Sequence, residues 1–599
     1  MNNLAVKKII EEFFPKDKKK LCLLVFFSVV VGLFEFFGLI LIYQFVIFLV
    51  SAQDGSYSKI IFLFKDFLKI ENSSLISLSL GVLVALIYIF KNIFFLFYTK
   101  FYNNILVDMS KKLLNRASNI FLKEDFLKIN SISSADKLNI LNKIDIFIWQ
   151  YCLKYINLYS NLIIALIIVS YLFFKFTLVA ILACGVISLF GGIEYLYLKR
   201  KSNFQNKNYS KALKACGANI FKIVTLIKEI KIASLEEYFE NKTKENYDFL
   251  LELNKDKNFN NILHIYLTEI FIMMSFILVL FSLFFTSNFD NKVVISSLCT
   301  ICVVILRLAP LINRIQSALY SINSNKKIAK EIISFFESFP VQKENASKNS
   351  KKEEISFSDK IILKNANFKY QKEDEFGLQN ITLEIKKGEF IGIVGQSGCF
   401  KTTFLNILSG LIPLNSGKII IDQKELNKEN ISSWQEKISY QAQDHALLFE
   451  DVLENFSFFN KSNLKEKDFK KIKEIFEKLG LEEKILNMKE FELSQGQKQR
   501  VCLALSIFQN KEILLLDEIT SALDVFSQEK INEILKSLKG KKTIISIAHR
   551  LQALLFADRI IYLEDGKVID FDNFKNLDKK YPKFHKIIQL SNFEIENEN

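Results

Sequence analysis

Residues 388–411 read GEFIGIVGQSGCFKTTFLNILSGL. The apolar run ending at Val394 has the length and bulk of a buried strand, and the apolar spacing after Lys401 is that of a helix. Between them lies GQSGCFKTT, Gly395 to Thr403, small and polar except for one residue. Strand, glycine-bearing turn and helix in that order make a phosphate cradle, because backbone N–H groups curl around the anion and the helix N-terminus adds positive potential. Lys401 in such a cradle reaches β- and γ-phosphate oxygens, and Thr402 ligates magnesium. Phe400 is the exception. It stands directly before Lys401, where a residue without a side chain would let the backbone approach the phosphates. A bulky residue at positive φ costs on the order of 1–3 kcal/mol. That is about a tenfold to hundredfold loss of affinity, so the expectation is a weakened but working site.

Further stretches supply the rest of a nucleotide-hydrolysing set. EILLLDEITSALD (512–524) is an apolar strand ending in Asp517, whose carboxylate suits a magnesium ion, and Glu518 next to it is placed to orient or deprotonate an attacking water. TIISIAHR (543–550) puts His549 at the end of another apolar strand, within reach of a γ-phosphate. ELSQGQKQR (492–500) precedes the Asp517 strand. The surrounding composition from residue 356 to 590 is that of a soluble α/β domain.

The first part of the chain reads differently. Half of the 599 residues are hydrophobic and 58 are Phe, yet the net charge is +14. Six segments are long and apolar enough to cross a bilayer of ~30 Å: 21–50, 74–98, 147–174, 177–199, 262–286 and 292–312. The long connections 99–146 and 199–261 are rich in lysine and periodic, so both are expected in the cytoplasm as helical continuations of the spans. Residues 57–70 form a short amphipathic stretch between the first two spans. The basic residues sit beside membrane spans, which argues against a nucleic-acid partner. Cys299 and Cys302 lie in an apolar stretch and read as small membrane-helix residues. The expected organisation is multidomain. An all-α six-helix membrane domain covers 1–325, a linker 326–355, an α/β P-loop nucleotide-binding domain 356–590 and a tail 591–599.

With these motifs in order, the chain resembles an ATP-binding cassette (ABC) exporter half-transporter. The resemblance implies ATP and Mg2+ as cofactors and assigns the cradle residues Gly395, Gln396, Ser397, Gly398, Cys399, Phe400, Lys401, Thr402 and Thr403 to nucleotide binding. It implies that Tyr370, in NFKY, stacks on adenine, and that Gln443, in SYQAQD, links the magnesium to the membrane part. Ser494, Gly496 and Gln497 would belong to the signature that reaches the nucleotide of a second cassette. Glu518 would be the base, Asp517 a metal ligand, Ser521 to Asp524 the D-loop and His549 the switch. A chain with one such cassette must pair, most simply as a homodimer, with a heterodimer the alternative. Two departures from the pattern stand beside Phe400. Gln495 replaces the first signature glycine, and ILNMKEFELSQGQ lacks the acidic, glycine-bearing loop usual before the signature.

For cargo, ionisable residues at membrane depth are informative because they are costly there. Glu35, Lys91 and Arg307 are such residues, read either as a structural ion pair (Glu35 with Arg307) or as lining for an anionic head group. RLAPLINRI, the mid-span glutamate and the amphipathic stretch together resemble flippases of lipid-linked oligosaccharides of the PglK type. Multidrug, lipid A and peptide export are alternatives, as is a membrane protein whose weakly hydrolysing cassette regulates. The implied location is the inner, cytoplasmic membrane, multi-pass, with the cassette in the cytoplasm.

Overall fold

The computed structural model describes residues 18–51, 73–175, 215–286, 291–340, 353–371, 376–460, 464–519, 523–547 and 555–586, with isolated positions between 185 and 213; 278–286 and 291–307 are described as backbone only. The chain divides into two compact units, 1–124 with 132–340, and 125–131 with 341–599. The amphipathic stretch 57–70 and most of the expected span 177–199 lie outside the described residues.

The first unit is helical. Its long helices are α1 (Lys18–Ser51), α2 (Ser73–Lys123), α3 (Leu153–Lys175), α4 (Glu236–Thr286) and α5 (Asn291–Ser338). At 1.5 Å per residue, the 51-residue α2 and α4 are each about 75 Å long, far more than a bilayer core of ~30 Å needs. The spans therefore continue as helices beyond the apolar stretch, as the periodicity of both connections indicated. Among the described residues, Leu23–Ile42, Leu78–Lys123 and Ser134–Ser170 meet length and hydropathy requirements for crossing a membrane. On α2, Leu75, Leu78, Val82, Leu86, Ile89, Ile93 and Leu96 are all exposed at helical spacing, an apolar stripe suited to lipid tails. The opposite faces pack. Val31, Ile164, Ile168, Leu308 and Leu311 form a buried core from α1, α3 and α5. At Gly32 a Cβ would lie 2.7 Å from Ile167 Cδ1, so glycine permits the close crossing of α1 and α3.

One boundary differs from expectation. α5 runs to Ser338, well into the segment 326–355 read as linker. Hydropathy falls near residue 325, but Ala329, Ile332 and Phe336 are buried at i, i+3 and i+7 and hold the helix against its neighbours. Arg116 closes the same region, donating to Phe339 O at 3.2 Å with its guanidinium 5.1 Å from the Phe336 ring.

The second unit holds two sheets. β1 (Lys360–Phe368), β2 (Leu378–Lys386), β4 (Ser416–Ile421) and β5 (Lys424–Glu425) make an antiparallel sheet in the order β2-β1-β4-β5. β3 (Phe390–Val394), β6 (Ile438–Gln441), β7 (Ile513–Asp517), β8 (Thr543–Ile547), β9 (Arg559–Glu564) and β10 (Lys567–Asp572) form the other, in the order β10-β9-β3-β8-β7-β6. All of its pairings are parallel except β9 with β10. β3, β7 and β8 are buried at every position, which is why they read as unbroken apolar runs. Among the helices of this unit are α6 (Lys401–Leu408), α7 (Gln495–Phe508) and α8 (Val525–Leu538).

Candidate nucleotide site

Parallel pairing places the carboxyl ends of β3, β6, β7 and β8 along one edge of the sheet. Ligands of open parallel sheets bind at that edge. Val394 there leads into Gly395–Thr403, Gln441 leads to Gln443, β7 ends in Asp517 with Glu518 following, and Ile547 leads towards His549. His549 and Ser521 themselves lie outside the described residues.

The cradle has the shape its sequence requires. A Cβ on Gly395 would sit 2.3 Å from Leu563 O and 2.5 Å from Cys399 Sγ, so only glycine fits, and Gly398 takes φ +84°. Phe400 adopts φ +72°, ψ +26°, the left-handed region in which a non-glycine residue is strained, and it caps α6. Its ring is half-buried against the main core of the unit. That packing offsets part of the backbone strain. Lys401, 7% exposed, donates from Nζ to Gly395 O at 2.8 Å and to Gln396 O at 3.0 Å, which suspends the ammonium across the loop. Gln396, Ser397, Gly398 and Thr402 face outward, whereas Cys399 and Thr403 face the core. Burial pushes the Cys399 thiol up, against the pull of Lys401, so it stays a neutral thiol.

Around the cradle, Tyr370 donates to or accepts from Thr403 Oγ1 at 2.9 Å and meets the Phe368 ring edge-on at 5.0 Å. It is 52% exposed, leaving a ring face on which a base can stack. Gln443 Nε2 donates to Glu518 Oε2 at 2.9 Å, so these two side chains meet although 75 positions apart. Glu518 adopts φ +52°, a second strained residue in the site, and nothing in the sequence signals it. Asp517 is 1% exposed at the strand end. Burial, then the Asp517 carboxylate, push the neighbouring Tyr440 phenol well above its usual range. These residues fit a magnesium nucleotide. Thr402, Gln443 and Asp517 supply oxygen ligands of the kind that Mg2+ takes, and the glycines leave room for phosphate against backbone N–H groups.

The signature segment starts α7. Ser494 caps it: its side chain accepts from Gln497 N at 3.2 Å, and Gln497 Oε1 accepts from Ser494 N at 2.9 Å. Gln495 occupies the first helical position and is exposed, and a side chain there is tolerated within one unit. Two contacts were not legible beforehand. Glu490 pairs with Lys498 and accepts from Leu447 N at 3.4 Å, joining the segment before the signature to the one after Gln443. The Lys498 ammonium holds the Glu490 carboxyl below its usual range. Arg500 donates to Leu479 O at 3.2 Å and Gly480 O at 3.0 Å, fixing the other side of α7. Asp524, from the expected D-loop, caps α8 by accepting from Ser527 N at 3.1 Å.

In the first unit, Lys91 donates to Glu35 Oε1 at 2.5 Å with both side chains largely buried, and the ammonium lies 5.1 Å from the Tyr88 ring. The sequence offered Arg307 as the partner of Glu35; Lys91 is a partner, and the Arg307 side chain lies outside the described residues.

Residues 378–521 match the ABC transporter family profile. The energy-coupling factor transporter ATP-binding protein EcfA1 of Ligilactobacillus salivarius is 35% identical over 216 residues, which are 35% of this chain and 76% of that protein. An ATP-dependent lipid A-core flippase of Photobacterium profundum is 29% identical over 238 residues, 38% of this chain, and the match spans only 40% of that relative's length. The structure of a bacterial Atm1-family ABC exporter with ATP bound matches with a TM-score of 0.73, covering 96% of this chain and 97% of that one at 14% identity. That last likeness is one of fold.

Proposed function

The chain belongs to the ABC transporter family, and on that premise we propose that it is an ATP-driven exporter or flippase of an amphipathic, lipid-like substrate. One observation carries the proposal: phosphate cradle, Gln443, Asp517 and Glu518 converge on one sheet edge in a chain that also bears long apolar helices. A cassette on the same polypeptide as membrane helices is placed to spend nucleotide energy on movement across the bilayer.

In this reading Lys401 and the amides from Gly395 to Thr403 bind the phosphates, and Tyr370 stacks on the base. Glu518 accepts the proton of the attacking water at its carboxylate, and Gln443 orients it through the 2.9 Å contact. Thr402, Gln443 and Asp517 would hold Mg2+, which neutralises charge on the phosphate oxygens when bound. His549 would contact the terminal phosphate. Ser494, Gly496 and Gln497 face the nucleotide of a second copy, so the working unit is a dimer, most simply a homodimer, in the inner membrane. Among substrates, a lipid-linked oligosaccharide fits the RLAPLINRI ending and the mid-span glutamate.

The test is ATP turnover by the purified chain in lipid, measured with candidate amphipaths. Stimulation by one class of amphipath supports transport. A specific observation, Phe400 at φ +72°, favours a second reading in which the cassette binds ATP and regulates. Under that reading binding is measurable and turnover is absent with every amphipath.

A further inference from the structure

The first unit carries an open cavity of about 1120 Å³. That exceeds the ~300–1,000 Å³ of ordinary small-molecule pockets, so a large head group fits. Its wall has an unusual charge pattern. Among the described residues, Lys154 and Arg314 are the only charged ones lining it, both are cations, and no carboxylate joins them. Neither is in an ion pair among the described residues.

Each cation heads a polar stripe. On α3, Lys154, Asn157 and Asn161 recur at i, i+3 and i+7, and on α5 Arg314, Ser317 and Ser321 do the same; all six line the cavity. That spacing puts each set on one helix face. The stripes therefore present two ammonium or guanidinium groups and a series of amides and hydroxyls to one space. Amides and hydroxyls both donate and accept, the pairing that a polyol needs. The Asn313 Oδ1 atom, which also borders the cavity, is buried without a hydrogen-bond partner among the described residues, an acceptor ready for a hydroxyl. Tyr98 and Tyr102, ring centroids 5.4 Å apart, add aromatic surface of the kind sugar rings cover. Lys154 is half-buried and Arg314 exposed, so both cations are within reach of a ligand entering the cavity, and an anionic one would supply their counter-charge.

We propose that this cavity binds a phosphate-bearing, hydroxyl-rich head group, with Lys154 and Arg314 holding the phosphate and the Asn and Ser stripes holding the hydroxyls. The proposal rests on the transporter reading only for what happens after binding. Lipid-borne and water-soluble sugar phosphates share this chemistry, and the test separates them.

The experiment is lipid retention by the full-length protein in phosphatidylcholine nanodiscs, without ATP, followed by native mass spectrometry. Phosphatidylinositol, phosphatidic acid and a monoglucosyl diacylglycerol are compared at equal mole fraction. Phosphatidylinositol should be retained ~10-fold better than the neutral glycolipid, the order of a charge-assisted hydrogen bond. It should also exceed phosphatidic acid, which lacks the hydroxyls. K154Q/R314Q should lose that preference and K154R/R314K should keep it, with R314Q alone as the variant if the pair does not fold. Displacement by glucose 1-phosphate identifies a water-soluble source, and failure to displace identifies a lipid-borne one. Equal retention of phosphatidylinositol and the neutral glycolipid, or of phosphatidylinositol and phosphatidic acid, overturns the proposal, as does unchanged retention by folded K154Q/R314Q. Retention without any ATP turnover would leave the site standing and remove the transporter reading; turnover without retention would do the reverse.

Discussion

Replacing Phe400 dissects a site in which two effects oppose each other. The left-handed backbone at φ +72° costs a residue with a Cβ about 1–2 kcal/mol. The ring, half-buried against the core, recovers a fraction of the ~1.5–3 kcal/mol that a fully buried apolar side chain contributes. Phe400→Ala keeps the strain and loses the ring, so the cassette should lose about 1 kcal/mol. Phe400→Gly loses the ring but also the strain, and should be more stable than the alanine variant by about 1 kcal/mol despite glycine's freedom in the unfolded chain. The same backbone must close on the phosphates, so glycine should tighten ATP binding by about fivefold, the equivalent of ~1 kcal/mol. Maximal turnover should move less, because Lys401, Glu518 and Gln443 are untouched. Denaturant unfolding of the three proteins and equilibrium titration with ATP measure both halves. An alanine variant as stable as the glycine variant would show that position 400 carries no backbone strain. Wild type binding ATP as tightly as Phe400→Gly would show that Phe400 does not weaken the site.

Three further outcomes follow from the geometry. Glu518→Gln should retain ATP binding and accumulate as a closed dimer with ATP, seen as a doubling of mass by light scattering in detergent; a monomer with ATP bound would count against pairing. Lys91→Met should destabilise the first unit by about 3–5 kcal/mol, because it removes the ammonium 2.5 Å from the buried Glu35 carboxylate. Glu35→Gln/Lys91→Met should restore most of that loss in thermal unfolding, and a double variant as unstable as the single would argue against the pair. Glu490→Gln breaks the contact to Lys498 and should weaken the link between the signature segment and the Leu447 region, lowering turnover several-fold with ATP affinity unchanged; an equal fall in affinity would place Glu490 in nucleotide binding instead.

The motifs were legible because local chemistry and burial coincide in them. β3, β7 and β8 are buried at every position, so their apolar runs end at the sheet edge, where Gly395 follows β3, Asp517 closes β7 and Glu518 comes next. The positive φ at Phe400 was likewise readable, since the loop's shape demands it whatever residue is there. Strand order was not. β8 sits between β3 and β7 in the sheet although it follows both in sequence, and only non-local pairing decides that. The Lys91–Glu35 contact escaped for the same reason, its partners being 56 positions apart. The helix through 326–338 was readable in principle from Ala329, Ile332 and Phe336, but a boundary drawn at the fall in hydropathy near residue 325 cut it short. The two polar stripes on α3 and α5 gain meaning only when both line one cavity.

The most direct test of the central claim is steady-state ATP turnover by the purified chain in lipid bilayers, wild type against Glu518→Gln, at saturating Mg-ATP. The account predicts turnover in wild type and a loss of about 100-fold or more in the variant, the scale on which a positioned general base acts. Equal rates in the two proteins, or no turnover by wild type in any lipid while it binds ATP, would contradict it.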